Sequence, residues 1–352
     1  PLVSAPNACV GVHTRDWVGR MCTHPNKKTD PRRLEAELAE VIEQVRGTDG
    51  GEPSDYLADV DGRDPDSFAV AVCTTDGVQA DEGDESRAFA LQSVSKAVTY
   101  AVALQERGLE PVLQRVGVEP SGAAFNELTL HADGRPYNPL INAGAIMTHA
   151  LIPGDDEQAR MRLLLQRYSD LAAAELSVSQ DVLDAELARA HRNLGLAHML
   201  QAADMLPDDA PEVVRGYLAQ CSVEVTVSQL ATMAATIAAG GVNPVSGERV
   251  LEEWVAQQTM SVMFSCGMYD ASGQWMAEVG IPAKSGVSGA LMGAVPGALG
   301  IASWSPRLDG QGNSVRGIGV FEELSARWDL HVLRHRDAMA GLREITGGNA
   351  GG

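Results

Sequence analysis

The sequence predicts an α/β fold in which a sheet domain formed by both ends of the chain encloses an inserted helical domain. Segments with strand character lie towards both ends, and the region between them is mainly helical in pattern. We place a leader, expected to be disordered, at 1–29, the sheet domain at 30–108 and 285–345, the helical domain at 109–284, and a flexible tail at 346–352.

The elements near the N-terminus follow from local patterns. Residues 30–47 predict a helix, because Asp30 suits the cap, apolar residues recur at three-four spacing and Gly47 stops it. Residues 67–80, "SFAVAVCTTDGVQA", predict two short strands around an Asp-Gly turn. Residues 94–107 predict a helix that ends before a glycine.

The later elements follow in the same way. Three segments carry apolar residues at three-four spacing and predict helices: 156–175, 179–202 and 226–241. Strand character returns at 297–306, "GALGIASWSP", and at 314–324, "SVRGIGVFEEL". A last helix is expected over about 324–343.

Composition excludes several classes of partner. The net charge is −20, from 27 basic and 47 acidic residues, so the surface repels nucleic acid and anionic membranes. It is also compatible with salt tolerance, which a steep loss of activity in concentrated NaCl would refute. No apolar run is long enough for a membrane span or a secretory signal. Five cysteines without a C-x-x-C pair disfavour a disulfide framework or a zinc site and indicate a cytoplasmic protein.

Lysine is almost absent from the chain. Its four lysines are Lys27, Lys28, Lys96 and Lys284, and arginine supplies the other 23 basic residues. Arginine is always protonated, whereas a desolvated lysine can be neutral near pH 7 and act as a base. Lys96 and Lys284 are therefore candidates for proton chemistry. Chance retention of two lysines is the alternative.

Both retained lysines lie in motifs that belong together. Ser93 and Lys96 form the chain's only S-x-x-K, at the start of a predicted helix, where residues i and i+3 share a face. A neutral lysine there can take the serine proton. Lys284 and Ser285 lie in "IPAKSGVSGAL", and K-S/T-G accompanies S-x-x-K in penicillin-binding proteins and β-lactamases. The tetrapeptide alone is a weak signal, but the pairing favours a catalytic site.

With these motifs the chain closely resembles the serine-dependent glutaminase family, and in particular its bacterial members. The resemblance covers roughly residues 50–325 and is carried by segments such as "SDYLADV", "FALQSVSK", "YNPLINAGAI", "AELARAHRN", "GMYD" and "PAKSGVSG". It implies a β-lactamase-like sandwich of an antiparallel sheet with helices, plus an inserted all-helical domain. It also implies hydrolysis of L-glutamine to L-glutamate and ammonia without a metal or organic cofactor, and it favours a homo-oligomer.

The resemblance assigns roles residue by residue. Ser93 resembles the nucleophile, Lys96 its base, and Tyr269 the tyrosine that relays or positions the proton. The backbone N–H groups of Ser93 and Val287 resemble the oxyanion hole, which Lys284 and Ser285 would support. The remaining implied contacts surround the substrate: Asn142 and Asn193 at its carboxylate, Glu186 at its ammonium, Tyr56 and Tyr217 along the pocket, and Gln92 beside the nucleophile.

Other interpretations of the same residues stay open at this point. We expect Glu186 and Asn193, seven residues apart, to share one helix face, but both also suit a solvated surface. Asn142 also suits a helix cap, and Tyr269 suits packing equally well. The runner-up function is a Ser-Lys amidohydrolase of the β-lactamase or peptidase type, although no S-D-N-like triplet is present. A binding module for an amino acid is the non-enzymatic alternative.

Overall fold

Two antiparallel sheets organise the part of the chain that the computed structural model describes, residues 29–54, 64–122 and 130–334. The strands are β1 (Ala69–Thr74), β2 (Gln79–Gly83), β3 (Phe89–Ala90), β4 (Ser177–Val178), β5 (Val223–Val225), β6 (Ala283–Ser285), β7 (Ala290–Val295) and β8 (Leu299–Trp304). The large sheet has the order β2-β1-β8-β7-β6, and the small one β3-β5-β4. β1 pairs with β8 from Ala69↔Trp304 to Thr74↔Leu299, so strands distant in sequence share one sheet.

Helices cover both faces of the large sheet. They are α1 (Pro31–Arg46), α2 (Ser95–Arg107), α3 (Leu109–Leu113), α4 (Asn142–Ala150), α5 (Glu157–Ala172), α6 (Gln180–Ala188), α7 (His191–Ala202), α8 (Ala210–Cys221), α9 (Val227–Ala238), α10 (Glu253–Cys266), α11 (Ser272–Glu278) and α12 (Val315–Trp328). α1 and α12 bury their apolar stripes on one face, with Val41, Phe321 and Ile301 in one cluster. α9 covers the other face, and its Ala231 and Ala235 join the cluster that contains Ala302.

The α9–sheet contact depends on a glycine in β8. A Cβ atom at Gly300 would lie 2.2 Å from the Ala235 nitrogen and 2.3 Å from the Ala231 oxygen. Backbone atoms cannot yield as side chains do, so we expect Gly300→Ala to lower the free energy of unfolding by about 1–3 kcal/mol. Urea unfolding measures this change. Gly195→Ala in α7 is the matched control, because nothing lies within 4 Å of its Cβ position and alanine favours the helix by about 1 kcal/mol. Equal stability of the two variants would contradict the close approach.

The segment 314–324 was predicted as a strand, and this prediction is wrong. It forms the first part of α12, which begins at Val315 and ends at Trp328 rather than spanning 324–343. Ser314 caps the helix, because its side chain accepts a hydrogen bond from the Gly317 nitrogen. The buried residues Val320, Phe321 and Leu324 follow the helical period, which the two glycines obscure in the sequence.

Two further differences between prediction and structure are a break within a predicted helix and a strand that was not predicted. Residues 179–202 form two helices, since α6 ends at Ala188 and α7 begins at His191, and Arg189 already donates its N–H to the Glu186 oxygen in a tighter turn. The strand β7 was missed, because a fully buried strand has no alternation of apolar and polar residues. The helix over 30–47, the hairpin over 67–80 and the helix before Gly108 are confirmed.

Several predicted regions lie outside the described residues. These are the leader up to residue 28, the end of the last predicted helix and the tail at 346–352. The domain limits after residues 108 and 284 stay a prediction; everything described from Pro31 onward belongs to one compact unit. Among the described helices, none combines the length and apolarity that crossing a membrane requires.

Candidate active site

Ser93 lies at the junction of a 3₁₀ turn, Gln92–Val94, with α2. Gln92 has a φ of 49°, in the left-handed region that residues other than glycine seldom adopt. Such backbone outliers are frequent at functional sites. Ser95, the other hydroxyl here, donates to the Gln92 oxygen at 2.7 Å and lies 3.6 Å from the sulfur of Cys221. The Ser95 hydroxyl therefore stabilises the turn, and of the two serines Ser93 is the one whose hydroxyl is available to the site.

Lys96 is fully buried in the first turn of α2. Its Nζ donates to Oδ1 of Asn142 at 2.6 Å. Burial lowers the pKa of Lys96 to about 8, against the opposing influence of Cys221 and Glu186. The amine is therefore partly neutral at pH 7 and mostly neutral above pH 8. A primary amine in this state can accept a proton from a neighbouring hydroxyl.

Asn142 connects the amine to a third helix. It is the first residue of α4, and Asn138 closes the preceding turn by accepting from the Leu140 and Ile141 nitrogens. Nδ2 of Asn142 donates to Oδ1 of Asn193 in the first turn of α7, at 3.0 Å. A hydrogen-bonded chain thus runs from Lys96 through Asn142 to Asn193. The sequence did not predict that Asn142 would contact Lys96.

Glu186 and Tyr217 form a second side of the site. Glu186 is half-buried near the end of α6, and its charge acts on both Lys96 and Tyr217. Burial first, and then Cys221 and Glu186, raise the pKa of Tyr217 well above its usual value, so its hydroxyl stays protonated. The prediction that Glu186 and Asn193 share one helix face is wrong, because the chain breaks between α6 and α7.

Tyr269 lies beside Ser93. Its backbone is also left-handed, with a φ of 51°, at the start of the 3₁₀ turn Tyr269–Ala271. The hydroxyl donates to the backbone oxygen of Ser285 at 3.2 Å. Burial of the hydroxyl raises the pKa of Tyr269, and a hydrogen bond with the side chain of Ser93 opposes that rise. A protonated phenol therefore lies within hydrogen-bonding reach of Ser93.

Val287 follows β6 and lines the rim of the site. With residues 51–54 and the loop 308–312 it lines a groove of about 690 Å³. Gly312 in that loop has a φ of 91°, and a Cβ there would lie 3.7 Å from Cε2 of Tyr269 and 4.0 Å from Cγ1 of Val287. The loop therefore lies directly against both predicted site residues. Tyr56, predicted to line the pocket, lies outside the described residues.

One neighbour of the site was not given a role from the sequence. Cys221 at the end of α8 is buried beside Ser95 and influences both Lys96 and Tyr217. Burial raises the pKa of its thiol to about 11, so it is a packed thiol rather than a reactive one. No sequence signal distinguishes it from other cysteines, because its importance lies only in what it packs against.

The chain matches a known family. The family model described as Glutaminase matches residues 51–333. A glutaminase of Corynebacterium glutamicum is 47% identical over 298 residues, which cover 84% of this chain and 72% of that relative. A crystal structure of Mglu in its native form is 45% identical, with a TM-score of 0.83, and the match covers 89% of this chain and 76% of that one.

A second solved structure, of Mglu in its glutamate form, gives the same TM-score of 0.83 at 44% identity, covering 88% of this chain and 72% of that one. The predicted mixed α/β fold of the β-lactamase-like type, with an antiparallel sheet and many helices, is thereby confirmed. The chain belongs to the glutaminase family of hydrolases, which act on an amide C–N bond.

Proposed function

We propose that the chain hydrolyses the side-chain amide of L-glutamine through a covalent ester on Ser93, with Lys96 as the base. The observation that carries this proposal is the buried Lys96 amine, three residues from Ser93 and held by Asn142. A positive charge alone would not require lysine in a chain that otherwise uses arginine. An amine that must lose its proton does require lysine, because a desolvated lysine can become neutral near pH 7.

The first step forms the ester. Lys96 takes the proton of Ser93 Oγ, and the oxygen attacks the side-chain carbonyl carbon of glutamine. Negative charge then develops on the carbonyl oxygen, which the backbone N–H groups of Ser93 and Val287 would stabilise. The C–N bond breaks, and the nitrogen takes the proton held by Lys96, directly or relayed through Tyr269, and leaves as ammonia. Tyr269 suits this role because its hydroxyl stays protonated near Ser93.

The second step removes the product. Lys96 takes a proton from the water that attacks the γ-glutamyl ester and returns a proton to the Ser93 oxygen as the ester bond breaks, so glutamate is released. The α-ammonium of the amino acid would lie near Glu186, and its α-carboxylate near Asn193. Because Asn142 donates to Asn193 and accepts from Lys96, the group that would hold the carboxylate is linked to the base through Asn142.

The distance between these two ends sets the substrate length. Asparagine is one methylene shorter, so when its α-groups occupy the Glu186 and Asn193 positions, its amide carbon cannot reach Ser93. A misplacement of about 1 Å costs on the order of 100-fold in rate. We therefore expect kcat/KM for L-asparagine to be at least about 100-fold below that for L-glutamine.

Ammonia release from both amino acids, followed with equal enzyme, measures this ratio. Formation of glutamate in step with ammonia is the control that the side-chain amide is the bond cleaved. Equal turnover of the two substrates would refute the proposed pocket. Absence of ammonia from glutamine would refute the proposed function itself.

A further inference from the structure

Lys284 is a buried amine that the proposed mechanism does not use. It is the central residue of β6, pairs with Met292 of β7, and is fully buried. Its Nζ donates to the backbone oxygen of the next residue, Ser285, at 2.5 Å. In the parts of the chain that the structure describes, no carboxylate forms an ion pair with it. Because no ion pair among the described residues offsets the cost of burying this amine, its presence here needs a reason other than a charge–charge interaction.

The surroundings of Lys284 favour its neutral form. Burial, and then the positive charge of Lys96, lower the pKa of Lys284 well below its usual value. Two amines in one dry site cannot both hold a proton without strong repulsion. Lys284 is therefore biased towards its uncharged form, in which it still donates hydrogen bonds, whereas the pKa of Lys96 is about 8.

Lys284 and Tyr269 share one hydrogen-bond acceptor. The backbone oxygen of Ser285 accepts from Nζ of Lys284 at 2.5 Å and from the hydroxyl of Tyr269 at 3.2 Å. A carbonyl oxygen has two lone pairs and can accept both bonds. Nζ also lies 4.4 Å from the centroid of the Tyr269 ring. The Lys284 amine thus packs on the face of the Tyr269 ring and shares with the Tyr269 hydroxyl the carbonyl oxygen of Ser285.

This arrangement matters when the tyrosine acts. To protonate the leaving nitrogen, the Tyr269 hydroxyl must turn away from Ser285. A buried carbonyl left without a partner is costly, which would hold the hydroxyl in place. The Lys284 amine stays on that carbonyl oxygen, so the hydroxyl can turn without leaving it unpaired.

We propose that Lys284 is a positioning residue for Tyr269, packing on its ring and keeping the Ser285 carbonyl bonded while the hydroxyl turns to the leaving nitrogen. The inference rests on the proposed function and adds a role for the second retained lysine. It predicts that the effect of Lys284 on kcat depends on the hydroxyl of Tyr269.

A double-mutant cycle tests this dependence. The full-length chain is compared with Lys284→Met, Tyr269→Phe and the double variant, by kcat and KM for L-glutamine. Methionine keeps the apolar stem and removes the donor. We expect Lys284→Met to lower kcat by about 10- to 100-fold, within the range of one acid–base contribution, with KM changed less than about 3-fold. In the Tyr269→Phe background, the same change should alter kcat by less than about 2-fold.

Lys284→Gln is the conservative variant, because it keeps a neutral N–H donor, and it should recover part of the kcat lost in Lys284→Met. If Lys284→Met fails to fold, as judged by thermal unfolding, Lys284→Gln is carried through the same cycle. Effects of Lys284→Met that multiply with those of Tyr269→Phe, or an unchanged kcat, would overturn the inference alone. A parent chain that releases no ammonia would overturn the proposed function and this inference with it.

Discussion

Replacing Ser93 by alanine is expected to lower kcat for ammonia release from L-glutamine by roughly 10⁴-fold or more. The substitution removes the atom that would form the ester, and loss of a nucleophile costs this much in serine hydrolases. The fold should be unaffected, because Ser93 lies at the surface of the site and its methylene group stays in place. Steady-state ammonia release with enzyme at micromolar concentration measures the change.

Ser95→Ala is the matched control. It makes the same chemical change two residues away, but Ser95 holds the turn through the Gln92 oxygen. We expect it to lower stability by about 1 kcal/mol while kcat falls less than about 10-fold. Mass spectrometry of the parent quenched during turnover should find a glutamyl ester on the peptide that contains Ser93. An ester on Ser95, or full activity of Ser93→Ala, would show that Ser93 is not the nucleophile.

Replacing Lys96 by methionine should abolish activity and make the protein more stable at neutral pH. The activity is lost because no group remains to take the Ser93 proton. Stability rises because the buried amine has a pKa of about 8 in the folded chain, against a usual value of 10.5. That difference in pKa lowers the free energy of unfolding of the parent by about 3 kcal/mol below pH 8, and the hydrogen bond to Asn142 offsets about 1 kcal/mol of this loss. Urea unfolding at pH 7 should therefore show a gain of about 2 kcal/mol.

The pH dependence separates this explanation from simple packing. Between pH 8 and pH 10.5 the unfolded chain binds more protons at Lys96 than the folded chain does, so the parent gains stability as pH rises. The advantage of Lys96→Met should accordingly shrink over that window. In the parent, kcat/KM should rise with pH and level off above about pH 8, as the amine becomes neutral.

Lys96→Arg is the control for charge. A guanidinium stays protonated, so it should be inactive and less stable than the parent. Activity retained in Lys96→Arg would transfer the role of base to Tyr269. A loss of stability in Lys96→Met at pH 7 would refute the cost assigned to the buried amine.

The sequence predicted the fold class well where the period of apolar residues was unambiguous. The amphipathic stripe of α1 and the Asp-Gly hairpin between β1 and β2 are local patterns, and both are confirmed. The start of α12 failed because its glycines weaken the helical signal, and packing against the sheet restores it. The strand β7 failed because a strand buried on both faces and a buried helix segment look alike in sequence.

The residues proposed for catalysis could be selected from the sequence, but the contacts between them could not. Retention of Lys96 in a chain that prefers arginine indicated an amine that must lose its proton. The contact of Asn142 with Lys96 joins residues 46 positions apart, and the shared carbonyl of Ser285 joins two more segments. Such partners are fixed by tertiary packing, which no local spacing encodes. The roles of these residues stay predictions until the variants are measured.

The burial of both later lysines has a practical consequence for handling the protein. Reagents that acylate primary amines attach proteins to resins and dyes through accessible lysines. Within these 352 residues, only Lys96 and Lys284 lie beyond residue 28, and both are 0% exposed in the folded chain. Coupling under native conditions is therefore confined to the first 28 residues. Protein immobilised in this way is attached through residues 1–28, and its two buried amines are spared unless it unfolds.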